Sequence, residues 1–188
     1  MERSFEQLLA AQCAPTLAGV KAASLFCWRT ADARAAEATM GAWDRAMEPS
    51  GLRLRVLRRC PEEGAFLVYV YRERQLAALL ADEAAADFLR AEGYRSGGCV
   101  SMLDQLAQRL GAGGAFPHEI GVFLGYPLED VKGFICHGGR NFTCCGCWKA
   151  YGDPAQARAL FSRYHRCTAL YRSLLEQGVP LRELIVAA

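Results

Sequence analysis

The sequence predicts an α+β protein, in which a mixed or antiparallel sheet of about four strands is covered by helices, mainly on one face. The 188 residues match the usual size of one domain. Hydrophobic residues make up 52% and charged residues 22% of the chain, which is typical of a globular protein. Apolar runs typical of strands alternate with segments of helical periodicity. We therefore expect a single domain over residues 1–188.

The first half of the chain contains signals for two helices, a strand and a β-hairpin. Ser4 and Gln7 form a capping-box pattern, and the helix that follows is expected to end near Cys13 because Pro15 comes next. Ala23–Trp28 is a compact apolar run that predicts a buried strand. The other elements predicted here are a helix over Asp32–Met47 and a hairpin of two strands, Leu52–Cys60 and Ala65–Tyr71.

The second half is predicted to be mainly helical. Arg74–Glu92 and Ser96–Leu110 are rich in alanine and leucine at helical spacing, and Gly93 lies where a helix end is expected. Pro117–Leu124 and Pro127–Ile135 predict a helix-turn-helix hairpin at about 117–135, since proline suits a first helical turn. The last predicted elements are a strand over Phe142–Tyr151 and a long helix that Asp153 caps and that ends before Gly178.

Three segments carry a resemblance to a known family. Phe116–Phe134 has the sequence FPHEIGVFLGYPLEDVKGF, Cys13–Lys21 has CAPTLAGVK, and Gly146–Tyr151 has GCWKAY. Together they resemble a domain-of-unknown-function family found mostly in anaerobic Firmicutes, although Cys147 and Ala150 depart from the family pattern. Family members are often encoded near flavodoxin and ferrous-iron transport genes, so the resemblance implies a role linked to iron or redox metabolism.

Charge and hydropathy limit the partners of the chain. The net charge of +2 is far from the strongly basic balance of many nucleic-acid-binding proteins. The second hairpin helix would offer Lys132 beside the acidic Glu129, so we expect the hairpin to be a packing unit and not a DNA reader. Neither a secretory signal nor a membrane span is visible, which predicts a cytoplasmic protein without a membrane partner.

His118 and Glu119, at the start of the first hairpin helix, are the candidate catalytic residues. An imidazole there can act as general acid or base beside a carboxylate, or both can bind a ligand. Alternatively, Glu119 complements the helix dipole and His118 bonds a carbonyl. Lys21, Lys149 and Tyr151 complete the predicted ligand-binding set, because lysines beside aromatic rings suit anionic or planar ligands. The plainer interpretation is that these lysines extend along an amphipathic surface.

Cysteine is the main anomaly of the composition. In a reducing compartment, nine cysteines indicate thiols, metal ligands or redox centres before they indicate disulfides. Buried apolar cysteine is the default interpretation, because the spacing of these cysteines is only a weak signal for a zinc or iron site. The candidate metal ligands, for iron or zinc, are Cys136, Cys144, Cys145 and Cys147, and the candidate reactive thiols are Cys13 and Cys167.

These features favour a cytosolic accessory protein that binds a small ligand or a metal in iron or redox metabolism. Its expected partner is a small molecule or a redox protein such as a flavodoxin. One alternative is an enzyme that uses His118 as general acid or base beside a cysteine nucleophile. Another is a regulatory or interaction module that uses the helix hairpin. The chain contains none of the best-marked nucleotide, hydrolase or metalloprotease motifs.

Overall fold

The structure, a computed structural model, describes residues 4–187 and confirms the α+β class. Contacts divide the chain into two compact units. The first unit contains the chain up to Leu76 and again from Cys167 onward, and the second contains Ala77–Arg166. The single domain over residues 1–188 stays a prediction. None of the helices in the described part of the chain has the length and apolar character needed to cross a membrane.

Two helices and a three-stranded sheet begin the first unit. Helix α1 spans Phe5–Leu17, strand β1 spans Ala23–Arg29 and helix α2 spans Ala33–Met47. Strands β2 (Leu52–Cys60) and β3 (Ala65–Arg72) form the predicted hairpin. Strand β3 lies in the centre and pairs antiparallel with both β1 and β2. The prediction of about four strands in one sheet is therefore wrong, because this sheet has three.

The core of the first unit lies between the two helices and one face of the sheet. Phe26, Val68 and Val70 point to that face, since side chains two residues apart on a strand share a side. They pack in one buried cluster with Leu9 of α1 and Met40 of α2. The apolar stripes of both helices are thus removed from water, which is the main stabilising effect in this unit.

Helix α1 continues past its predicted end near Cys13 and includes Pro15. The predicted capping box is present, with the Gln7 amide donating to Ser4 Oγ at 3.2 Å. Proline removes one backbone donor and its ring crowds the carbonyl four residues earlier, which disfavours the helix interior. Helix α1 nevertheless continues for two residues beyond Pro15. The Pro15 carbonyl accepts hydrogen bonds from the amides of Val20 at 2.8 Å and of residue 21 at 3.0 Å. Pro15 therefore shapes the exit from α1 and does not terminate it.

The single helix predicted over Arg74–Glu92 is wrong, because two helices occupy this segment. The Asp82 carboxylate accepts a hydrogen bond from the amide of Ala85 at 3.0 Å, which is an N-cap that starts a new helix. The next helix begins at Cys99 and not at Ser96, since Gly98 is extended. The helices are α3 (Glu73–Ala81), α4 (Glu83–Ala91) and α5 (Cys99–Gly111).

The predicted helix-turn-helix hairpin is present as α6 (Ile120–Phe123) and α7 (Leu128–His137). Its first helix is shorter than predicted, because residues 118–119 form a turn. A Cβ atom added to Gly121 would lie 2.7 Å from Val131 Cγ2, so the two helices approach closely at this glycine. The four residues of α6 are buried, which is typical of a packing unit.

A small ribbon and the first part of a long helix complete the second unit. The strand predicted over residues 142–151 is instead a hairpin of two short strands, β4 (Cys144–Cys145) and β5 (Lys149–Ala150). Within its turn the amide of Gly146 donates to the carbonyl of Trp148 at 3.0 Å. Helix α8 spans Pro154–Glu176, as predicted. The chain thus reverses inside the cysteine-rich segment, and alternation along one strand does not apply there.

Candidate functional site

A buried carboxylate on helix α7 positions the ribbon of the second unit. Asp130 is only 4% exposed. One carboxylate oxygen accepts a hydrogen bond from Trp148 Nε1 at 2.7 Å. The other accepts from the amides of Tyr151 at 2.6 Å and Gly152 at 3.0 Å. Three hydrogen bonds to a charged acceptor tie β5 and the residues after it to α7.

The indole of Trp148 extends this anchor toward helix α8. Its ring stacks on Tyr126, with centroids 4.5 Å apart, and meets Phe161 of α8 edge-on, also at 4.5 Å. Edge-to-face and offset stacking are the favoured geometries of aromatic pairs. Cys144 and Ala150 are buried in the same small core. The ribbon is therefore packed on both helices, so its side chains have defined positions.

Tyr151 packs against a glycine of α7. Its ring lies so close to Gly133 that an added Cβ atom there would overlap the ring, with Tyr151 Cδ1 at 2.8 Å. The ring also stacks on His137, with centroids 5.6 Å apart. Burial, together with the negative charge of Asp130, raises the pKa of Tyr151 above its usual value. Tyr151 therefore stays a neutral phenol and takes part in the packing of the ribbon on α7.

This packing predicts a measurable effect of a single methyl group. We expect Gly133→Ala to lower the free energy of unfolding by about 1–3 kcal/mol, the usual range for overpacking. The matched control is Gly111→Ala at the end of α5, where an added Cβ has no atom within 4 Å. The control should be neutral or slightly stabilising, because alanine is the better helix former. Urea unfolding compares the variants, and equal stability of both with wild type would contradict the close contact.

His118 and Lys149 lie on one exposed aromatic surface of the second unit. The His118 ring is 4.8 Å from the ring of Phe134 and 5.7 Å from that of Phe116. Lys149 Nζ lies 6.0 Å from the centroid of Phe134 and 5.2 Å from that of Phe142. We call these five residues the Phe134 surface. Phe116 is 47% and Phe142 is 42% exposed, so the surface is open to a ligand.

The ammonium group of Lys149 is held in place on this surface. It donates a hydrogen bond to the carbonyl of Gly139 at 2.7 Å. Gly139 has φ = 73° in the turn after α7, a conformation that glycine adopts without strain. The cation is thus fixed between two aromatic rings, a geometry in which each ring face attracts a positive charge. The surface therefore combines a positive charge with flat apolar faces.

Glu119 points away from this arrangement, into the protein. It is 5% exposed and accepts hydrogen bonds from the Tyr94 hydroxyl at 3.0 Å and from Arg109 Nη1 at 3.3 Å. The Arg109 guanidinium lies 4.2 Å from the Tyr94 ring centroid and donates to the carbonyl of Glu92 at 2.7 Å. Burial, with the Glu119 carboxylate adding to it, raises the pKa of Tyr94 far above its usual range. Glu119 thus joins α5 to the segment before α6.

A groove of about 410 Å³ lies elsewhere in the second unit. Its apolar wall includes Trp148 and Leu160, and its rim carries Glu129, Asp153 and Arg163. None of the residues that the sequence nominated for ligand binding lines it. Because the rim has more carboxylates than cations, the groove suits an anionic ligand less well than the Phe134 surface does.

The cysteines nominated as metal ligands do not converge. Cys144 is buried in the ribbon core, whereas Cys136, Cys145 and Cys147 are exposed. Over residues 4–187, no three histidine, cysteine, aspartate or glutamate side chains are arranged to hold one metal ion. The geometry of these donors does not fit a zinc or iron centre, which normally has three or four protein ligands. A metal at these cysteines stays a hypothesis from the sequence.

The first unit contains the other predicted site residues, which are Lys21, Cys13 and Cys167. Cys13 is completely buried, and burial raises the pKa of its thiol to about 12, although Lys21 and a hydrogen bond to Ser24 oppose this. Cys167 packs, partly buried, against the core cluster that contains Cys13. Neither thiol is part of a disulfide bond within residues 4–187. At neutral pH Cys13 is protonated, a state typical of a core cysteine and unsuited to nucleophilic or ligand chemistry.

Three polar residues with defined contacts in the structure were not predicted from the sequence. Arg72 ends strand β3 and is 2% exposed, with its guanidinium bonded to three backbone carbonyls of its unit. Asp130 looked like one of several acidic residues at the start of α7. His165 lies on an exposed part of α8 but contacts Cys147. The location of Asp130 within the quoted family motif was the one available signal.

The fold and the Phe134 surface together define a small α+β protein with an exposed aromatic face that carries a cation. Residues 9–185 match a family model described as protein of unknown function (DUF3793), so the chain belongs to this family. The match covers nearly the whole chain and all three motif segments. No curated protein and no solved structure matches the chain.

Proposed function

We propose that this chain binds a small anionic ligand with a flat, conjugated ring system, and that the ligand rests on the Phe134 surface. One observation carries the proposal: His118 and Lys149, from separate segments of the chain, both lie against the ring of Phe134. Neither segment alone would form a site. The pair also belongs to the motifs by which the chain resembles its family.

The chemistry of the surface indicates the class of ligand. A lysine ammonium has three donor hydrogens, and the Gly139 carbonyl takes one of them at 2.7 Å. An anionic group on the ligand would accept another from Lys149. The partly exposed rings of Phe116 and Phe142 offer flat faces on which a conjugated ring stacks. A ligand with both features contacts the cation and the rings at once.

Iron or redox metabolism is the proposed context of this ligand. That part of the proposal rests on the gene neighbourhood that the family resemblance implies. A redox protein such as a flavodoxin is the proposed macromolecular partner, and the chain would act as an accessory protein. Flavin mononucleotide is an informative probe, because it joins a flat redox-active ring to a phosphate. Riboflavin has the same ring without the phosphate.

The test compares the affinities of these two probes by isothermal titration calorimetry. We expect flavin mononucleotide to bind more tightly than riboflavin, because only the former offers an anion to Lys149. Lys149→Met should weaken the binding of flavin mononucleotide about tenfold, or by about 1.4 kcal/mol, and leave the binding of riboflavin nearly unchanged. The control is Lys132→Met, which removes an exposed lysine of α7 whose Nζ lies 5.6 Å from the ring centroid of Phe88 in α4. Equal losses in the two variants, or no binding of either probe, would count against the proposal.

The enzyme alternative requires a cysteine nucleophile beside His118. A thiol–imidazole contact does occur among the described residues, but it joins Cys147 to His165. The interaction-module alternative uses the helix hairpin, whose α6 is buried and whose helices meet at Gly121 and Val131. Of these three hypotheses, ligand binding therefore has the strongest geometric support.

The hypothesis of an iron or zinc site at the cysteines is tested by a separate measurement. Elemental analysis and an absorption spectrum of protein purified without oxygen report iron, zinc and coloured cofactors in one sample. A stoichiometric amount of metal would support a metal site, and mutation would then test its four candidate ligands, Cys136, Cys144, Cys145 and Cys147. A flavin spectrum in the same sample would instead support the Phe134 surface.

A further inference from the structure

The turn of the ribbon brings a cysteine against a histidine of helix α8. Cys147 Sγ lies 3.7 Å from His165 Nε2, and both residues are exposed. This pair is not part of the Phe134 surface. We propose that Cys147 is a reactive thiol, with His165 as its proton acceptor, and that it exchanges with small disulfides in solution.

The two partners are held by anchors on both sides. Trp148, the next residue after Cys147, is fixed by its hydrogen bond to Asp130 at 2.7 Å. The same indole packs edge-on against Phe161, one turn of α8 before His165. A Cβ atom added to Gly146 would overlap the Phe161 ring, so the turn lies directly on α8. The contact between thiol and imidazole is therefore set by the packing of the ribbon on the helix.

Two tyrosines add neutral hydroxyl groups to this neighbourhood. Burial raises the pKa of Tyr126 to about 12, and a negative charge on Cys147 is the second cause. The same two causes, in the same order, raise the pKa of Tyr164, which the nearby Arg163 partly opposes. Both phenols therefore keep their protons at neutral pH. Neutral hydroxyl groups near a thiolate stabilise the charged sulfur.

The proposed reaction is a thiol–disulfide exchange. His165 takes the proton of the Cys147 thiol, and the thiolate attacks one sulfur of a low-molecular-weight disulfide. The bond between the two sulfurs of the small molecule breaks as the bond to Cys147 Sγ forms. The departing thiolate takes the proton back from the imidazolium. Cys147 ends as a mixed disulfide, and one half of the small disulfide is released as a thiol.

The experiment measures the modification of each cysteine separately. Wild type, His165→Gln and His137→Gln are treated at pH 7 with iodoacetamide or with oxidised glutathione, and labelling is read by peptide mass spectrometry. Cys145 is the internal control, because it is also exposed and lies on the same ribbon. We expect Cys147 to react about tenfold faster than Cys145, since a paired imidazole increases the thiolate fraction. His165→Gln should remove this advantage.

The controls separate the role of the imidazole from an effect on the fold. His137→Gln removes another exposed imidazole, which stacks on Tyr151, and should leave the ratio of the two rates unchanged. If His165→Gln merely loosened the ribbon, the rates of Cys145 and Cys147 would rise together, which would contradict the proposal. Equal rates of the two cysteines in wild type would overturn it as well. None of these outcomes depends on a ligand at the Phe134 surface, so the two proposals fail independently.

Discussion

Arg72→Met is expected to lower the free energy of unfolding by about 3–5 kcal/mol, the largest effect of a single substitution in the first unit. The Arg72 guanidinium donates to the carbonyls of Thr16, Leu17 and Val186, each at 2.7 Å. Methionine fills a similar volume but offers no donor. Three carbonyls would then each lose a hydrogen bond to a charged donor, worth about 1.5–3 kcal/mol. The carbonyls of Thr16 and Leu17 would still accept from the amides of Gly19 and Val186, which limits the loss.

The expected loss of unfolding free energy is smaller than the sum of three lost hydrogen bonds. Burial lowers the pKa of Arg72, which means that the protein already bears a cost for holding the charge away from water. Removing the charge recovers part of that cost. The backbone carbonyls cannot be replaced by apolar groups, however, so the net effect remains destabilising. Arg72 thus joins the end of α1 to the C-terminal segment at Val186.

Urea unfolding monitored by circular dichroism measures the effect of Arg72→Met. The matched control is Arg58→Met on strand β2, because Arg58 is exposed. A surface substitution of this kind should change stability by less than about 0.5 kcal/mol. Equal urea midpoints for the two variants would show that the three carbonyl contacts contribute nothing to stability.

Asp130→Ala has the largest expected effect in the second unit, a loss of about 3–4 kcal/mol. The substitution leaves the indole N–H of Trp148 and the amides of Tyr151 and Gly152 without their acceptor. Asp130→Asn keeps one acceptor oxygen and loses the charge, so it should cost about half as much. Because Lys149 lies on the same ribbon, Asp130→Ala should also weaken flavin mononucleotide binding.

Hydrogen exchange gives the sharper measurement for Asp130. The amides of Tyr151 and Gly152 donate to its carboxylate, so their protection should fall in Asp130→Ala more than that of α5 amides. Glu129→Gln is the control, because the neighbouring carboxylate is exposed. Unchanged protection in Asp130→Ala would show that the ribbon is held by its aromatic contacts alone.

Local patterns predicted much of the fold correctly. The capping box at Ser4, the β2–β3 hairpin, the hairpin of α6 and α7, and the last helix follow from signals within a few residues of each element. The errors arose where one local signal prevailed over another. Asp82 caps a new helix inside a segment of uniform helical composition, and Pro15 remains in α1 because its carbonyl closes the turn that follows.

The candidate site was predicted only in part. His118 and Lys149 were predicted as members of one ligand-binding set, and the structure brings these two to one ring of Phe134. Glu119 was nominated with His118 because it is adjacent in sequence, yet it bonds to Tyr94 and Arg109. Adjacent residues at a helix start point in different directions, so neighbours in sequence need not share a site.

The sequence by itself determined the α+β class and most of the helices, because capping and periodicity are local properties of the chain. The tertiary structure alone decided that Asp130 holds the ribbon, that Arg72 binds three carbonyls and that Cys147 contacts His165. Each of these contacts joins residues from different elements, and their meeting depends on how buried surfaces pack. A pattern along one element contains no information about such a distance.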